Sequence, residues 1–118
     1  MSNVELNAVS KEGVFAPRLM AQSLRTTVDE IAQTAGLGRD ALVRSSRVGN
    51  PKTQKRLREM MEIVNRTSPR FGSDLMAYAW YRSTPLPGYG VTPMQLVQDG
   101  RADLVHRHLD RLDAGVHA

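Results

Sequence analysis

The stretch TVDEIAQTAGLGRDAL, residues 27–42, has the pattern of two short helices joined by a tight turn. Thr27 and Glu30 have the spacing of a capping box, in which the Thr hydroxyl accepts from the Glu amide and the Glu side chain reaches back. Gly36 suits the left-handed residue that follows a helix, and Leu42 is expected to pin the second helix to the first. The spacing therefore predicts a helix-turn-helix.

The second helix of this motif would present basic side chains to solvent, and the basic run continues into the helix that follows. Arginines at such positions can pair with guanine edges or phosphates, and later basic residues can hold the DNA backbone. The residues that we expect to contact DNA are Arg39, Arg44, Arg47, Lys52, Lys55 and Arg56. The competing interpretation is a plain three-helix core with a solvated basic face.

Helix signals continue on both sides of the motif. Pro17 suits the first position of a helix that runs to about Leu24. Asn50 and Pro51 combine an N-cap with a Pro start, and an amphipathic stripe follows at Leu57, Met60, Met61 and Val64. No stretch alternates β-branched and polar residues over a useful length, so no strand is predicted and the expected fold is all-α.

The composition sets further bounds. The chain has 118 residues and no cysteine, which excludes disulfides and thiolate zinc sites and favours a reducing, cytoplasmic compartment. The polar N-terminus lacks the apolar stretch of a signal peptide. We expect a disordered arm over residues 1–14, a helix-turn-helix-like lobe over 15–67 and a second helical part over 68–118.

The net charge of +4 is unevenly distributed. Between Arg39 and Arg70 nine basic residues stand against three acidic ones, whereas from Phe71 onward four arginines face five aspartates. A basic segment followed by a nearly neutral one suggests two partners, the first of them an anionic polymer.

The last forty-five residues carry a distinctive order of motifs. An aromatic helix over residues 75–81 precedes a Pro/Gly-rich turn over residues 85–91, where Pro87 and Gly88 suit a type II turn. Thr92 and Gln95 then form a second capping box with Pro93 between them, and a last helix is expected to end at Gly115. Four of the six aromatic residues of the chain fall within twelve positions: Tyr78, Trp80, Tyr81 and Tyr89.

This order resembles the C-terminal toxin-binding segment of the MbcA/ParS/Xre antitoxins. The resemblance implies an antitoxin of a type II toxin–antitoxin pair, whose partner is a RES-type toxin that degrades NAD or a related ADP-ribosyltransferase-like toxin. It implies that the C-terminal tail plugs the toxin's NAD-binding cleft. The residues that it implies for toxin binding are Trp80, Tyr81, Leu86, Arg107, Arg111, Gly115, Val116, His117 and Ala118. Among the aromatic residues, Tyr81 lies on a different side of its helix from Leu75 and Ala79, which favours it as a contact.

No active site is evident, so we expect a protein that is not an enzyme and that has no cofactor or metal. His106 and His108 lie two positions apart, on different faces of a helix, and cannot chelate one metal ion there. A homodimer and a hetero-oligomeric complex with the toxin are expected, because helix-turn-helix proteins usually bind paired half-sites.

Two other functions remain open at this point. The first is a stand-alone transcriptional regulator whose C-terminal helices only dimerise. The second is a small adaptor protein that does not bind DNA, and whose basic side chains are simply exposed to solvent.

Overall fold

The computed structural model describes residues 10–11, 14–38, 41–42 and 48–116. The all-α prediction is confirmed, since the described residues are mostly helical. Their helices are α1 (Pro17–Ser23), α2 (Val28–Thr34), α3 (Pro51–Phe71), α4 (Asp74–Ser83), α5 (Pro93–Gln98) and α6 (Ala102–Val116).

Two very short strands were not expected from the sequence. β1 (Ser10–Lys11) pairs antiparallel with β2 (Val14–Phe15). Phe15 is buried, and its backbone bonds the Gln54 side chain of α3 at 2.8 and 3.1 Å. These contacts place the strand pair against the helical core. The prediction of a disordered arm is therefore wrong at Ser10, Lys11 and Val14, and the other positions of that arm lie outside the described residues.

The structure describes the first helix and the turn of the predicted helix-turn-helix. The Glu30 amide donates to the Thr27 hydroxyl at 3.1 Å, and Gly36 has a left-handed φ of 76°. Leu42 is buried, as expected. The return bond of the capping box is replaced, because the Glu30 carboxylate binds the Thr26 hydroxyl and Arg82 of α4 instead. Positions 39–40 and 43–47 of the second helix lie outside the described residues.

The longest described helix, α3, is the centre of the structure. The Asn50 side chain caps its start by accepting from the Lys52 amide at 2.9 Å. Its apolar stripe is fully buried and faces α4, α5 and α6. The helix continues through Pro69 to Phe71. The boundary expected between residues 67 and 68 falls inside α3.

The helix starts and the turn of the C-terminal part lie close to where the sequence predicts them. The Ser73 hydroxyl accepts from the Met76 amide at 3.1 Å and begins α4. Gly88 has a positive φ of 85°, and the Tyr89 amide donates to the Leu86 carbonyl at 3.1 Å, as a type II turn requires. Both bonds of the capping box at Thr92 are formed. The last helix differs, because α6 passes through Gly115 to Val116.

Candidate functional site

The inner face of α4 consists of Ala77, Tyr78 and Tyr81. Tyr81 is 0% exposed, and its hydroxyl donates to the carbonyl of Thr34 in α2 at 2.5 Å. Burial raises the pKa of Tyr81 well above its ordinary value and also raises the pKa of Tyr78. The prediction that Tyr81 faces a partner is wrong for this structure, because Tyr81 shares the α4 face that packs on α2 and α3.

The outer face of α4 carries an apolar strip of Met76 and Trp80, of which only Trp80 was predicted from the sequence. Met76 is 58% exposed, and Trp80 lies one turn further on the same side and is half-buried. The Trp80 ring packs against Phe71, with ring centroids 5.2 Å apart and an interplanar angle of 34°. The i, i+4 spacing of Met76 and Trp80 was the available signal. Trp80 thus belongs partly to the core and partly to the surface.

The turn between α4 and α5 is closed from within by Leu86. This side chain is only 2% exposed and belongs to the hydrophobic core. The Leu86 amide donates to the Val91 carbonyl at 2.8 Å and holds the two ends of the turn together. Leu86 was predicted to lie on the docking surface, but the structure buries it, so its side chain supports the turn and presents no area to solvent.

The helix α6 packs on the core through Val105, His108 and Leu109. Burial lowers the pKa of His108, and the positive charges of Arg111 and Arg70 lower it further. Arg107 and Arg111 are exposed on the opposite side. Leu112 is on the same side of α6 as Val105 and Leu109 but is 37% exposed.

A set of ion pairs joins α6 to α3. Arg66 Nη2 lies 2.7 Å from Asp110 and 3.0 Å from Asp113, and Arg70 Nη2 lies 2.8 Å from the other oxygen of Asp113. The hydrogen bond from Arg66, together with attraction to both arginines, lowers the pKa of Asp113. These pairs were not predicted, because they connect positions more than forty residues apart.

The last described turns of α6 lie at the surface of the molecule. Every residue from Asp110 to Gly115 is exposed, and the backbone of Gly115 and Val116 is helical. The expectation that Gly115 ends the helix and begins a loose tail is therefore wrong. His117 and Ala118 lie outside the described residues.

The basic residues at the start of α3 have different environments. Lys52 and Lys55 are exposed, whereas Arg56 Nη1 donates to the carbonyl of Val97 in α5 and lies 3.8 Å from Glu59. A shallow cavity of about 230 Å³ is lined by Lys52, Lys55, Arg56, Glu59 and Gly100. Arg56 thus ties α3 to α5 and is less available for a phosphate than the lysines. Arg39, Arg44 and Arg47 lie outside the described residues.

The described residues contain neither a group of metal-ligating side chains nor a helix that could span a membrane. Over residues 10–11, 14–38, 41–42 and 48–116, no three His, Cys, Asp or Glu side chains are grouped as metal ligands would be. Over the same ranges, no helix combines the length and the apolar character that crossing a membrane requires.

The apolar strip of α4, the capped turn and α6 lie together in the last part of the chain. Residues 69–115, about two fifths of the chain, match the family model of the antitoxin Xre/MbcA/ParS C-terminal toxin-binding domain. The match supports an antitoxin role and implies a toxin as partner. Neither a curated protein nor a solved structure matches the chain.

Proposed function

We propose that this chain is the antitoxin of a type II toxin–antitoxin pair and neutralises its toxin by direct binding. The observation that carries the proposal is the toxin-binding domain over residues 69–115. The exposed sides of α4 and α6 would form the docking surface, because exposed apolar, aromatic and arginine side chains are common anchors of interfaces. Tyr81 and Leu86 would act from inside, by holding α4 and its following turn in place.

The proposed docking residues differ in what they offer a partner. Met76 and Trp80 offer apolar area, since Met76 is 58% exposed and the Trp80 ring is half-buried over Phe71. Arg107 and Arg111 offer charge on the exposed side of α6. A combination of an apolar anchor and flanking polar groups is typical of protein–protein interfaces.

We further propose that the C-terminal end of α6 enters the toxin's NAD-binding cleft. The resemblance to the antitoxin family suggests this role, and the exposure of every side chain from Asp110 to Gly115 is consistent with it. A plug of this kind inhibits by occupying the cleft and needs no catalytic group. Docking elsewhere would hold residues 115–118 near the cleft at a high effective concentration.

Deletion of residues 115–118 tests the plug. We expect the truncated chain to stay bound to the protein encoded by the adjacent gene, with an affinity within about tenfold of the full chain, because the docking surface is intact. The NAD-degrading activity of that protein should return. The measurements are copurification, a binding titration and an NAD consumption assay. If the truncated chain inhibits as fully as the intact one, the plug is excluded.

We also propose that the N-terminal lobe binds operator DNA and represses its own operon. The supporting observations are the left-handed Gly36 turn, the burial of Leu42 and the exposure of Lys52 and Lys55. The two lysines lie three positions apart on α3, and they would hold the DNA backbone.

The DNA proposal is tested with the double variant Lys52→Ala/Lys55→Ala and the DNA upstream of the gene. We expect weaker binding to all sequences alike and a slope of log affinity against log salt that is smaller by about 2. Arg18→Ala, an exposed change on α1, is the control that removes a charge elsewhere. A salt slope that is equal in the wild type and the double variant would exclude these contacts.

A further inference from the structure

The toxin-binding domain has an uneven charge distribution that its composition conceals. Over residues 69–115 five arginines stand against five aspartates, so the formal charge of this segment is zero. A partner that responded only to this sum would meet a nearly neutral surface. The tertiary structure, however, pairs Asp110 and Asp113 of α6 with arginines of α3 and leaves Arg107 and Arg111 outside the ion pairs of the described residues.

Most of the carboxylates near α6 are already held by arginines. Asp110 and Asp113 turn towards α3, where they pair with Arg66 and Arg70. Asp103 at the start of α6 accepts two bonds of 3.0 Å from Arg101, in a bidentate pair. Asp110 and Asp113 are thus neutralised by two arginines of α3. Arg66 lies outside the matched residues, and Arg70 lies at their edge.

Arg107 and Arg111 form what we term the α6 basic face. They lie four positions apart, on the side of α6 opposite the buried Val105 and Leu109, and both are exposed. Among the ion pairs of the described residues, neither arginine has a carboxylate within 4 Å, whereas Arg70, Arg82 and Arg101 each have one. Leu112 follows Arg111 directly and is 37% exposed.

We propose that the α6 basic face docks on an acidic surface of the toxin. This inference rests on the proposed antitoxin function. Arginine suits the role, because its planar guanidinium pairs with carboxylates through two parallel hydrogen bonds. Complementary charge raises the association rate and selects the partner, and its effect falls as salt screens it.

The experiment compares charge reversal on this face with the same charge change elsewhere. The probe is the protein encoded by the adjacent gene, titrated with the full chain and with Arg107→Glu/Arg111→Glu. The single variants Arg107→Glu and Arg111→Glu are compared with Arg18→Glu on α1, which changes the net charge equally. Arg107→Lys/Arg111→Lys retains the charge, and circular dichroism checks that every variant is folded.

We expect the double reversal to raise Kd by about 10- to 100-fold, mainly through a slower association rate. The wild-type association rate should fall between about 50 and about 500 mM NaCl, and that dependence should be weaker in the double reversal. The lysine pair should retain the salt dependence, and Arg18→Glu should bind like the wild type.

Three outcomes would overturn the inference. If the double reversal binds the probe within about twofold of the wild type, the α6 basic face does not dock on the toxin. If the double reversal still binds the probe but loses affinity for DNA, the α6 basic face binds nucleic acid and not the toxin. If the wild type itself forms no complex with the probe, the proposed antitoxin function fails and this inference fails with it.

Discussion

At the scale of single residues, Gly36 is restricted both by its backbone and by its surroundings. Its φ of 76° is in the left-handed region, which costs other residues energy. A Cβ atom at this position would lie 2.7 Å from the Cα of Gln98 in α5. The side chain of Gln98 also donates to the Gln33 carbonyl at 2.8 Å. The turn after α2 is therefore packed directly on α5, which lies within the matched residues 69–115.

We expect Gly36→Ala to lower the free energy of unfolding by about 2–4 kcal/mol, through left-handed strain and overpacking against Gln98. Gly88→Ala is the matched control, since Gly88 has a φ of 85° but open space around it. The control should lose only about 1–2 kcal/mol. Urea unfolding of the three proteins measures the difference. Equal losses in the two variants would show that the contact with Gln98 does not matter.

Thr34 is the residue through which α2 and α4 are connected. Its carbonyl accepts from Tyr81 at 2.5 Å, and its hydroxyl lies 3.3 Å from both the Tyr78 hydroxyl and the Met60 sulfur. All of these groups are buried, so the polar contacts specify how the helices pack. The prediction that Tyr81 contacts a partner was wrong, because the apolar run over residues 75–81 does not show which side of the helix faces the core.

At the scale of elements, the ion pairs between α3 and α6 hold α6 in place. Asp113 receives hydrogen bonds from both Arg66 and Arg70, and its pKa is lowered as a result. A carboxyl group whose pKa is lower in the folded state stabilises the fold above its unfolded pKa of about 3.9. That contribution is lost as the pH falls through the folded pKa.

We therefore expect Asp113→Asn to lower the midpoint of urea unfolding at neutral pH. The difference between the urea midpoints of the wild type and the variant should become smaller as the pH falls below about 4, because the wild-type carboxyl group then becomes protonated. Asp99→Asn is the control, since Asp99 is exposed and has no ion pair among those of the described residues. If the two urea midpoints differ by the same amount at pH 7 and at about pH 2.5, the ionised carboxyl group of Asp113 is not what stabilises the wild type.

At the scale of the whole molecule, the matched domain is not a separate structural unit. The match begins at residue 69, near the end of α3, whereas α3 supplies the wall against which α4, α5 and α6 pack. Five fully buried apolar side chains come from the part of α3 before the match: Leu57, Met60, Met61, Ile63 and Val64. Buried side chains of this size contribute about 1.5–3 kcal/mol each, so their sum is comparable to the stability of a small domain.

We expect a fragment of residues 69–118 to be largely unfolded in isolation, because it lacks this wall. A fragment that begins at Val48 includes α3 and should recover helix over α3 to α6. Circular dichroism and urea unfolding of the two fragments, with the full chain as reference, measure this. A cooperative unfolding transition of the shorter fragment would show that the matched domain folds without α3.

The amino-acid sequence by itself determined the helical class, the capped starts at Thr27, Asn50 and Thr92 and the left-handed turn at Gly36. These features depend on hydrogen bonds and backbone preferences among residues a few positions apart, which the chain carries locally. Only the tertiary structure decided that Tyr81 and Leu86 are buried, that α3 runs through the expected boundary and that Arg107 and Arg111 lack carboxylate partners. Those features depend on contacts across forty or more residues or on how several helices pack, and no local pattern encodes them.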